Sequence, residues 1–326
     1  MRAAWYSKNG PARDVLTVGE LPAAEPAAGE VRVQLATSGV NPSDVKSRAG
    51  RPPAWERIVP HSDGAGVIAA VGAGVDTSRI GERVWIWNGQ WQRPLGTAAE
   101  CITVPAEQAS KLPENVDFAA GACLGIPGLT AYQAVRLLGD VHGKTVLVIG
   151  ASSAVGHYAA QMLALAGAHV FGTVGSEEKA AHARAAGVEA TIDYKREPVA
   201  DRLKALTAGR GVDGIIDMDF STTAKLLGDG VLAAHGTHVV YGSNAVADIG
   251  VPFRAALWGS YAIRFFLVYD LLPADRRACV DGLNALLARN ALQHTIGARY
   301  PLAEIAAAHE AVEAGRLIGN VVVDVG

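Results

Sequence analysis

The chain has 326 residues, with 29 Lys and Arg against 32 Asp and Glu, 50% hydrophobic and 19% charged content. At roughly 150 residues per domain this is material for two domains with buried cores, and it excludes a disordered chain. A net charge of −3 offers no basic excess to neutralise phosphates along a nucleic acid, so no nucleic-acid partner is expected.

Met1-Arg-Ala-Ala-Trp-Tyr6 lacks the apolar run of a signal peptide and reads as a first strand, so a cytoplasmic enzyme is expected. Up to about residue 120 the pattern is β-rich: Val31–Leu35 alternates, Gly66–Val71 is continuous and Arg83–Trp87 alternates again. Turn signals at Gly10-Pro11, Asn41-Pro42 and Gly81-Glu82 separate these runs. From about residue 125 to 265 strands alternate with helices, which implies parallel pairing through crossovers. Strands are predicted at Thr145–Ile149, His169–Val174, Thr191–Asp193, Gly214–Met218, Thr237–Tyr241 and Ala262–Val268. Six strands with a glycine-bearing first turn fit a doubly wound dinucleotide fold. The last residues hold helices near Ala274–Ala288 and Leu302–Gly315 and a strand, Asn320–Val325, able to return to the first domain.

Thr145 to Ser176 carries no formal charge and is long enough for a membrane span, which needs ~20 apolar residues. Gly150, Ser152, Ser153, Gly156, His157 and Gln161 interrupt it. A buried strand, a tight turn, a helix and a second buried strand are the better reading, and no membrane partner is expected. Cys101, Cys123 and Cys279 lie far apart, so neither a disulfide framework nor a four-cysteine zinc lobe can be written.

Val146-Leu-Val-Ile-Gly-Ala-Ser-Ser-Ala-Val-Gly156 runs from an apolar strand into a helix. Backbone N–H groups of Ser152, Ser153, Ala154 and Val155 at that helix start would meet a pyrophosphate, helped by the helix dipole. The strict G-x-G-x-x-G pattern is not met, because Ser152 stands at the second glycine. NAD-preferring folds end the second strand in an acid that binds the ribose 2′-OH. Here that strand ends in Gly175-Ser176, and Lys179 falls in the first turn of the next helix. A lysine there opposes the dipole unless a 2′-phosphate sits beside it, and Tyr194 would complete such a pocket. These residues point to NADPH; the alternative turns Glu177 or Glu178 inward for NAD and leaves Lys179 solvated.

The set Gly39-Val-Asn-Pro-Ser-Asp44, Ser62-Asp-Gly-Ala-Gly-Val67, Gly125-Ile-Pro-Gly-Leu-Thr-Ala-Tyr132, Gly150–Gly156 and Val239-Val-Tyr-Gly-Ser243 resembles the zinc-independent quinone oxidoreductases, the zeta-crystallin-like group of the medium-chain dehydrogenase/reductase superfamily. The resemblance implies an α/β chain with a GroES-like β-rich catalytic domain and a Rossmann doubly wound domain. Residues 1–123 would form the first part of the catalytic domain, 124–266 the NADP-binding domain, and 267–326 the return. It also implies NADPH and a homodimer. Zinc-dependent relatives carry a cysteine where this chain has Asn41, and Gly-His-Glu where it has His61-Ser62-Asp63. No metal is therefore expected.

Without a Lewis acid, hydride transfer must create an anion that resonance already stabilises, as in a quinone or an α,β-unsaturated carbonyl. The resemblance places Asn41 near the nicotinamide with its amide available, lets Asp44 orient neighbours, and brings Thr130 to the ring from the Rossmann side. Gly242, Ser243 and Asn244 would pass the ribose and pyrophosphate, and Phe266, Leu267 and Val268 would meet the nicotinamide amide. Lys46 replaces a tyrosine seen in several relatives and is either a donor to a substrate carbonyl or a surface lysine. His61 replaces a usual glycine and is either a general acid or a structural histidine. Trp55, Trp87 and Trp91 are candidate walls for a small, flat, apolar substrate, or core or dimer contacts. An enoyl-thioester reductase is a second enzyme reading, with Arg48, Arg51 and Arg57 as candidate carrier contacts. A cofactor-binding protein of low turnover, crystallin-like or RNA-binding, is the non-enzymatic one.

Overall fold

A computed structural model describes all residues, Met1–Gly326. The first strands are β1 (Arg2–Trp5), β2 (Thr17–Glu20), β3 (Glu30–Val40), β4 (Asp63–Val71), β5 (Arg83–Ile86), β6 (Cys101–Pro105) and β7 (Ala109–Lys111). The middle of the chain supplies β8 (Thr145–Val148), β9 (His169–Val174), β10 (Ala190–Asp193), β11 (Val212–Asp217), β12 (Leu232–Val240) and β13 (Ala262–Phe265); β14 (Ile296–Pro301) and β15 (Asn320–Asp324) close it. Packing divides the chain into a first unit, Met1–Gly128 with Val280–Gly326, and a second, Leu129–Cys279.

In the first unit β3 is the organising strand. It pairs antiparallel with β4, β6 and β15, and the sheet runs β14-β15-β3-β4-β5-β7. Val31, Val33 and Leu35 alternate inward, the half-buried pattern that period-two patterning anticipates. They pack with Ile68, Val84, Ile86, Ile102, Val104, Val321 and Val323. Gly66 permits the β3–β4 approach, because a Cβ there would lie 2.0 Å from the Gln34 carbonyl oxygen. Asn41-Pro42, read as a turn, instead opens the helix Pro42–Gly50: Asn41 is the N-cap and Pro42 sits at the first helical position.

The second unit is an all-parallel sheet in the order β10-β9-β8-β11-β12-β13. This is the doubly wound order, and it reverses between β8 and β11, where such sheets bind ligands outside the carboxyl ends of the strands. β8 is buried throughout, consistent with a strand covered on both faces. The helix Ala154–Leu165 follows β8, and Glu177–Ala185 follows β9. No helix is long and apolar enough to cross a membrane.

Two boundaries move from their predicted places. Residues 124–128 form a π-type turn whose Ile126 N–H donates to Asp63, so this segment packs in the first unit and not the second. The helix Pro273–Ala288 begins in the second unit: Arg136 pairs with Asp275, Arg276 donates to the Val268 carbonyl, and the Cys279 thiol donates to Gln133. β13 ends at Phe265, so Phe266, Leu267 and Val268 lie beyond the strand, with Val268 buried and Leu267 exposed.

Candidate active site

In the second unit Gly150 adopts φ +70°, the left-handed region that glycine tolerates. Its N–H donates to the Thr173 hydroxyl at 2.8 Å, tying the turn to β9. Ser153 caps the following helix by accepting from the Gly156 N–H at 3.0 Å. Gly156 is required by contact, since a Cβ would stand 2.2 Å from the Gly150 carbonyl oxygen. Ser152, at the second glycine position of the strict pattern, has no positive φ, so its backbone conformation does not require glycine. The N–H groups of Ala154 and Val155 lie in the first turn of a 12-residue helix, where they have no intrahelical acceptor and face the anion-attracting dipole end.

At the end of β9, Ser176 caps the helix Glu177–Ala185 by accepting from the Lys179 N–H at 3.3 Å. The corner beside it is defined by what surrounds Gly175. A Cβ there would lie 3.0 Å from the Tyr194 hydroxyl and 3.2 Å from Cε of Lys195. The Lys195 ammonium itself stands 6.0 Å from the Tyr194 ring centroid. A phenol and a lysine therefore occupy the ground on which an NAD-type carboxylate would act. Lys195 was not singled out in the sequence; its neighbour Tyr194 was.

A cavity of about 580 Å³ opens in this unit, lined in part by Gly150, Thr173, Tyr194, Asp219, Thr222 and Asn244. Burial alone would raise the Asp219 pKa, but hydrogen bonds from Ser221, Asn244 and Thr222 hold it below the usual carboxylate range. Both the backbone N–H and the side-chain amide of Asn244 donate to Asp219 at 2.9 Å, so that amide is engaged within the protein. Asp219 is a further residue that the sequence did not reveal. The Ser243 hydroxyl donates to the Ala245 carbonyl, and Gly242 lies so close to the Met218 carbonyl oxygen that a Cβ would approach it to 2.6 Å. Thr130, also in this unit, is buried with its hydroxyl lacking a hydrogen-bond partner within the protein.

In the first unit Asn41, Asp44 and Asp63 form a buried polar cluster. The Asn41 backbone N–H donates to Asp44 at 2.8 Å, and its amide Nδ2 donates to Asp63 at 2.9 Å. A further side-chain hydrogen bond joins Asn41 to Asp44. Burial raises the Asp44 carboxyl to about 7, against the opposing pull of these bonds. Asp63 is raised well above its ordinary value, again chiefly by burial. The expectation that the Asn41 amide stands open is corrected here: its N–H groups are drawn into the cluster.

The second correction concerns His61. Its ring is fully buried, and both nitrogens are engaged: Nδ1 lies 2.8 Å from the Ser38 hydroxyl, and Nε2 lies 2.9 Å from Nε2 of His309. The direction of every proton is determined. Thr97 donates to the Asp63 carbonyl oxygen at 2.5 Å, so it accepts from Ser38; Ser38 therefore accepts from His61 Nδ1–H, and His61 Nε2 accepts from His309. Burial, reinforced by His309, drives the His61 pKa well down. A neutral ring with no free proton at the surface is a structural histidine and not a general acid. Lys46 is exposed on its helix, Trp87 is buried and Trp55 is partly exposed.

The alcohol dehydrogenase GroES-like domain matches residues 27–114, and the zinc-binding dehydrogenase domain matches residues 154–284. The chain is 33% identical to a quinone oxidoreductase of Pseudomonas aeruginosa, over 98% of both proteins. The chain belongs to the quinone oxidoreductase family, within the medium-chain dehydrogenase/reductase superfamily. A 2-haloacrylate reductase of Burkholderia is 30% identical over 99% of this chain and 98% of its own. Among solved structures, an NAD-dependent alcohol dehydrogenase superposes with a TM-score of 0.89 at 29% identity, covering 100% of each chain. A mycobacterial protein complexed with NADPH superposes with a TM-score of 0.86 at 27% identity, covering 99% of this chain and 100% of its own.

The zinc in one domain name finds no fitting donor set in this member of the quinone oxidoreductase family. No three His, Cys, Asp or Glu side chains gather as a metal site. Asn41 is a poor zinc ligand, His61 and His309 bond each other, and the unbonded Oδ1 of Asp63 is a single donor where a catalytic zinc needs three protein ligands.

Proposed function

We propose that this protein is an NADPH-dependent reductase of quinones or α,β-unsaturated carbonyl compounds that works without a catalytic metal. The observation that carries the reading is the corner at Gly175. Where an acid would accept from a ribose 2′-OH, the chain has glycine beside a phenol O–H and the Lys195 chain, with Lys179 in the first turn of the adjoining helix. Donors and cations suit a 2′-phosphate and repel nothing in it. A solved relative complexed with NADPH supports this choice.

The rest of the nucleotide fits the same unit. Backbone N–H groups of Ala154 and Val155 would take the pyrophosphate, and the Thr130 hydroxyl has a vacant hydrogen-bonding capacity. NADPH supplies the hydride. The protein's task is then to orient the acceptor, exclude water and hold donors toward the oxygen that gains charge. Conjugated acceptors need no Lewis acid because the anion left by hydride addition is delocalised. The names of the relatives agree: one is a quinone oxidoreductase, and the 2-haloacrylate of the other carries a C=C conjugated to a carboxyl group. A homodimer in the cytoplasm completes the reading; the exposed, neighbouring Phe253 and Trp258 of the second unit are apolar side chains that a second copy would cover.

The deciding experiment mixes metal-analysed protein with NADPH or NADH and a panel of quinones, enones and enoyl thioesters. NADPH should be preferred, with quinones or enones the better acceptors. Equal efficiency with NADH sinks the Gly175 argument, stoichiometric zinc sinks the metal-free mechanism, and thioester preference moves the substrate class. Light scattering tests the dimer, which Trp258→Asp should convert to a monomer.

A further inference from the structure

Asp63, the first residue of β4, is fully buried, and its two oxygens have different surroundings. Oδ2 accepts from Asn41 Nδ2–H and from the Ile126 N–H, each at 2.9 Å. Oδ1 has no hydrogen-bond partner. Two N–H donors saturate the two lone pairs of a carbonyl oxygen, so Oδ2 has the bonding of a C=O. An ionised carboxylate would leave Oδ1 as a buried, unpaired anion, and nothing nearby compensates it. Asp44 on the helix Pro42–Gly50 adds like charge, Cys123 on the segment entering the 124–128 turn is itself held protonated, and His61, two residues earlier, is neutral.

The turn is shaped around this acid. A Cβ on Gly125 would stand 2.4 Å from Asp63 Oδ1 and 2.5 Å from the Ile86 carbonyl oxygen. Gly125, whose φ is not positive, is therefore there for close approach and not for backbone freedom. Asn41 at the helix cap and Ile126 in the turn are 85 residues apart in the chain, and one oxygen joins them.

We propose that Asp63 is a positioning residue that works as a neutral carboxylic acid, its carbonyl oxygen clamping the Asn41 amide to the Leu124–Gly128 turn. The proposal rests on the reading of Asn41 as a neighbour of the reacting ring. Its first consequence is spectroscopic: beside the carboxyl of Asp44, which titrates at about 7, the protein contains a protonated carboxyl group at neutral pH that vanishes in Asp63→Asn. Its second is kinetic. Loss of the acceptor in Asp63→Ala frees the Asn41 amide, and misplacement on the ångström scale lowers kcat by about a hundredfold. Asp63→Asn retains a C=O for both donors and should recover at least about tenfold of that loss, with KM for NADPH within about threefold in both variants.

The test is infrared difference spectroscopy of the parent against Asp63→Asn, paired with kcat, KM and pH profiles for the parent and both variants. A carboxylic-acid C=O band specific to the parent, rescue by Asn over Ala, and an alkaline loss of kcat that Asp63→Asn removes are the expected results. Absence of the band, or Asn as damaging as Ala, overturns the proposal. If Asp63→Ala does not fold, the band and the alkaline limb in Asp63→Asn still decide. A parent with no hydride transfer to any acceptor would reject the proposed function instead, while the band continues to report on Asp63 alone.

Discussion

In the second unit, Gly150, Gly156 and Gly175 make room, and what surrounds the space is backbone N–H, a phenol and two lysine chains near solvent. In the first unit, Asn41, Asp44, Asp63, His61 and His309 fill space; they are buried, Asn41 bonds the two acids and the two histidines bond each other, and burial shifts every acid and histidine toward its neutral form. The nucleotide corner thus keeps its charge outside, for a ligand that brings charge of its own. The acids and histidines of the polar core are shifted toward neutrality, because an unpaired buried ion would cost several kcal/mol, whereas the buried Arg48 keeps its charge against Glu313. A substitution should therefore act differently in the two places: through ligand binding in the corner, and through proton linkage in the core.

The largest expected effect comes from closing the space in the corner. Gly156→Ala puts a Cβ 2.2 Å from the Gly150 carbonyl oxygen, so the turn or the helix must move. Overpacking of this kind costs about 1–3 kcal/mol of stability. Dissociation constants for NADPH and NADH should both rise, by about a hundredfold if ~3 kcal/mol falls on the bound geometry. Fluorescence titration of the reduced cofactor reads this directly. Unchanged affinity for both would mean that the turn does not set the phosphate site.

A smaller and more selective effect belongs to the lysines. A hydrogen bond to a charged partner contributes about 1.5–3 kcal/mol, roughly tenfold or more in binding. Lys195→Ala and Lys179→Ala should each lower the ratio of kcat/KM for NADPH over NADH by about tenfold, leaving NADH itself near its parent value. If Lys195→Ala changes neither cofactor, Lys195 is a surface residue and the corner acts through Tyr194 and Lys179. If NADH falls equally, the variants disturb the fold and not the phosphate.

The same contrast explains what the residues disclosed in advance. Glycine turns and apolar strands are local, so the six strands of the second unit, the strand-to-helix turn at Gly150–Gly156, the helix after Ser176 and a last strand able to return to the first domain were legible. Partners distant in sequence were not. His61 meets His309 across 248 positions, and Asp63 meets Ile126 across 63. No local pattern distinguishes a histidine that hands its proton to Ser38 from one that hands it to a substrate. Lys195 was adjacent to a residue already singled out, yet its relation to Gly175 exists only once β9 and β10 pair in register. Gly125-Ile-Pro-Gly stood out only as part of the family motif; its π-type turn and its place in the first unit go with the bond from Ile126 to Asp63.

The last expected effect falls on stability and not on catalysis: a pH dependence with two opposing limbs, both from the polar core. Burial, with Arg48 adding to it, pushes His309 down to about 3 from an ordinary 6.5. Between those values the unfolded chain binds a proton that the native chain refuses, so stability is lost as pH falls below about 6.5. From pH 6.5 to 5 this single histidine accounts for a loss on the order of 2 kcal/mol, and His61 acts in the same direction. Asp44 does the reverse. Raised from 3.8 to about 7, it keeps a proton in the native state that the unfolded chain has already released, so its contribution declines as pH rises through that window. Urea unfolding free energies measured from pH 5 to 8 separate the two. His309→Leu should be less stable than the parent at pH 8, where His61 loses its donor, and the deficit should shrink by about 2 kcal/mol by pH 5. Asp44→Asn should flatten the other limb and leave the acid one intact. A His309→Leu deficit that stays constant across the range would show that the histidine pair titrates freely in the native state, and the division between an uncharged core and a charged corner would fail with it.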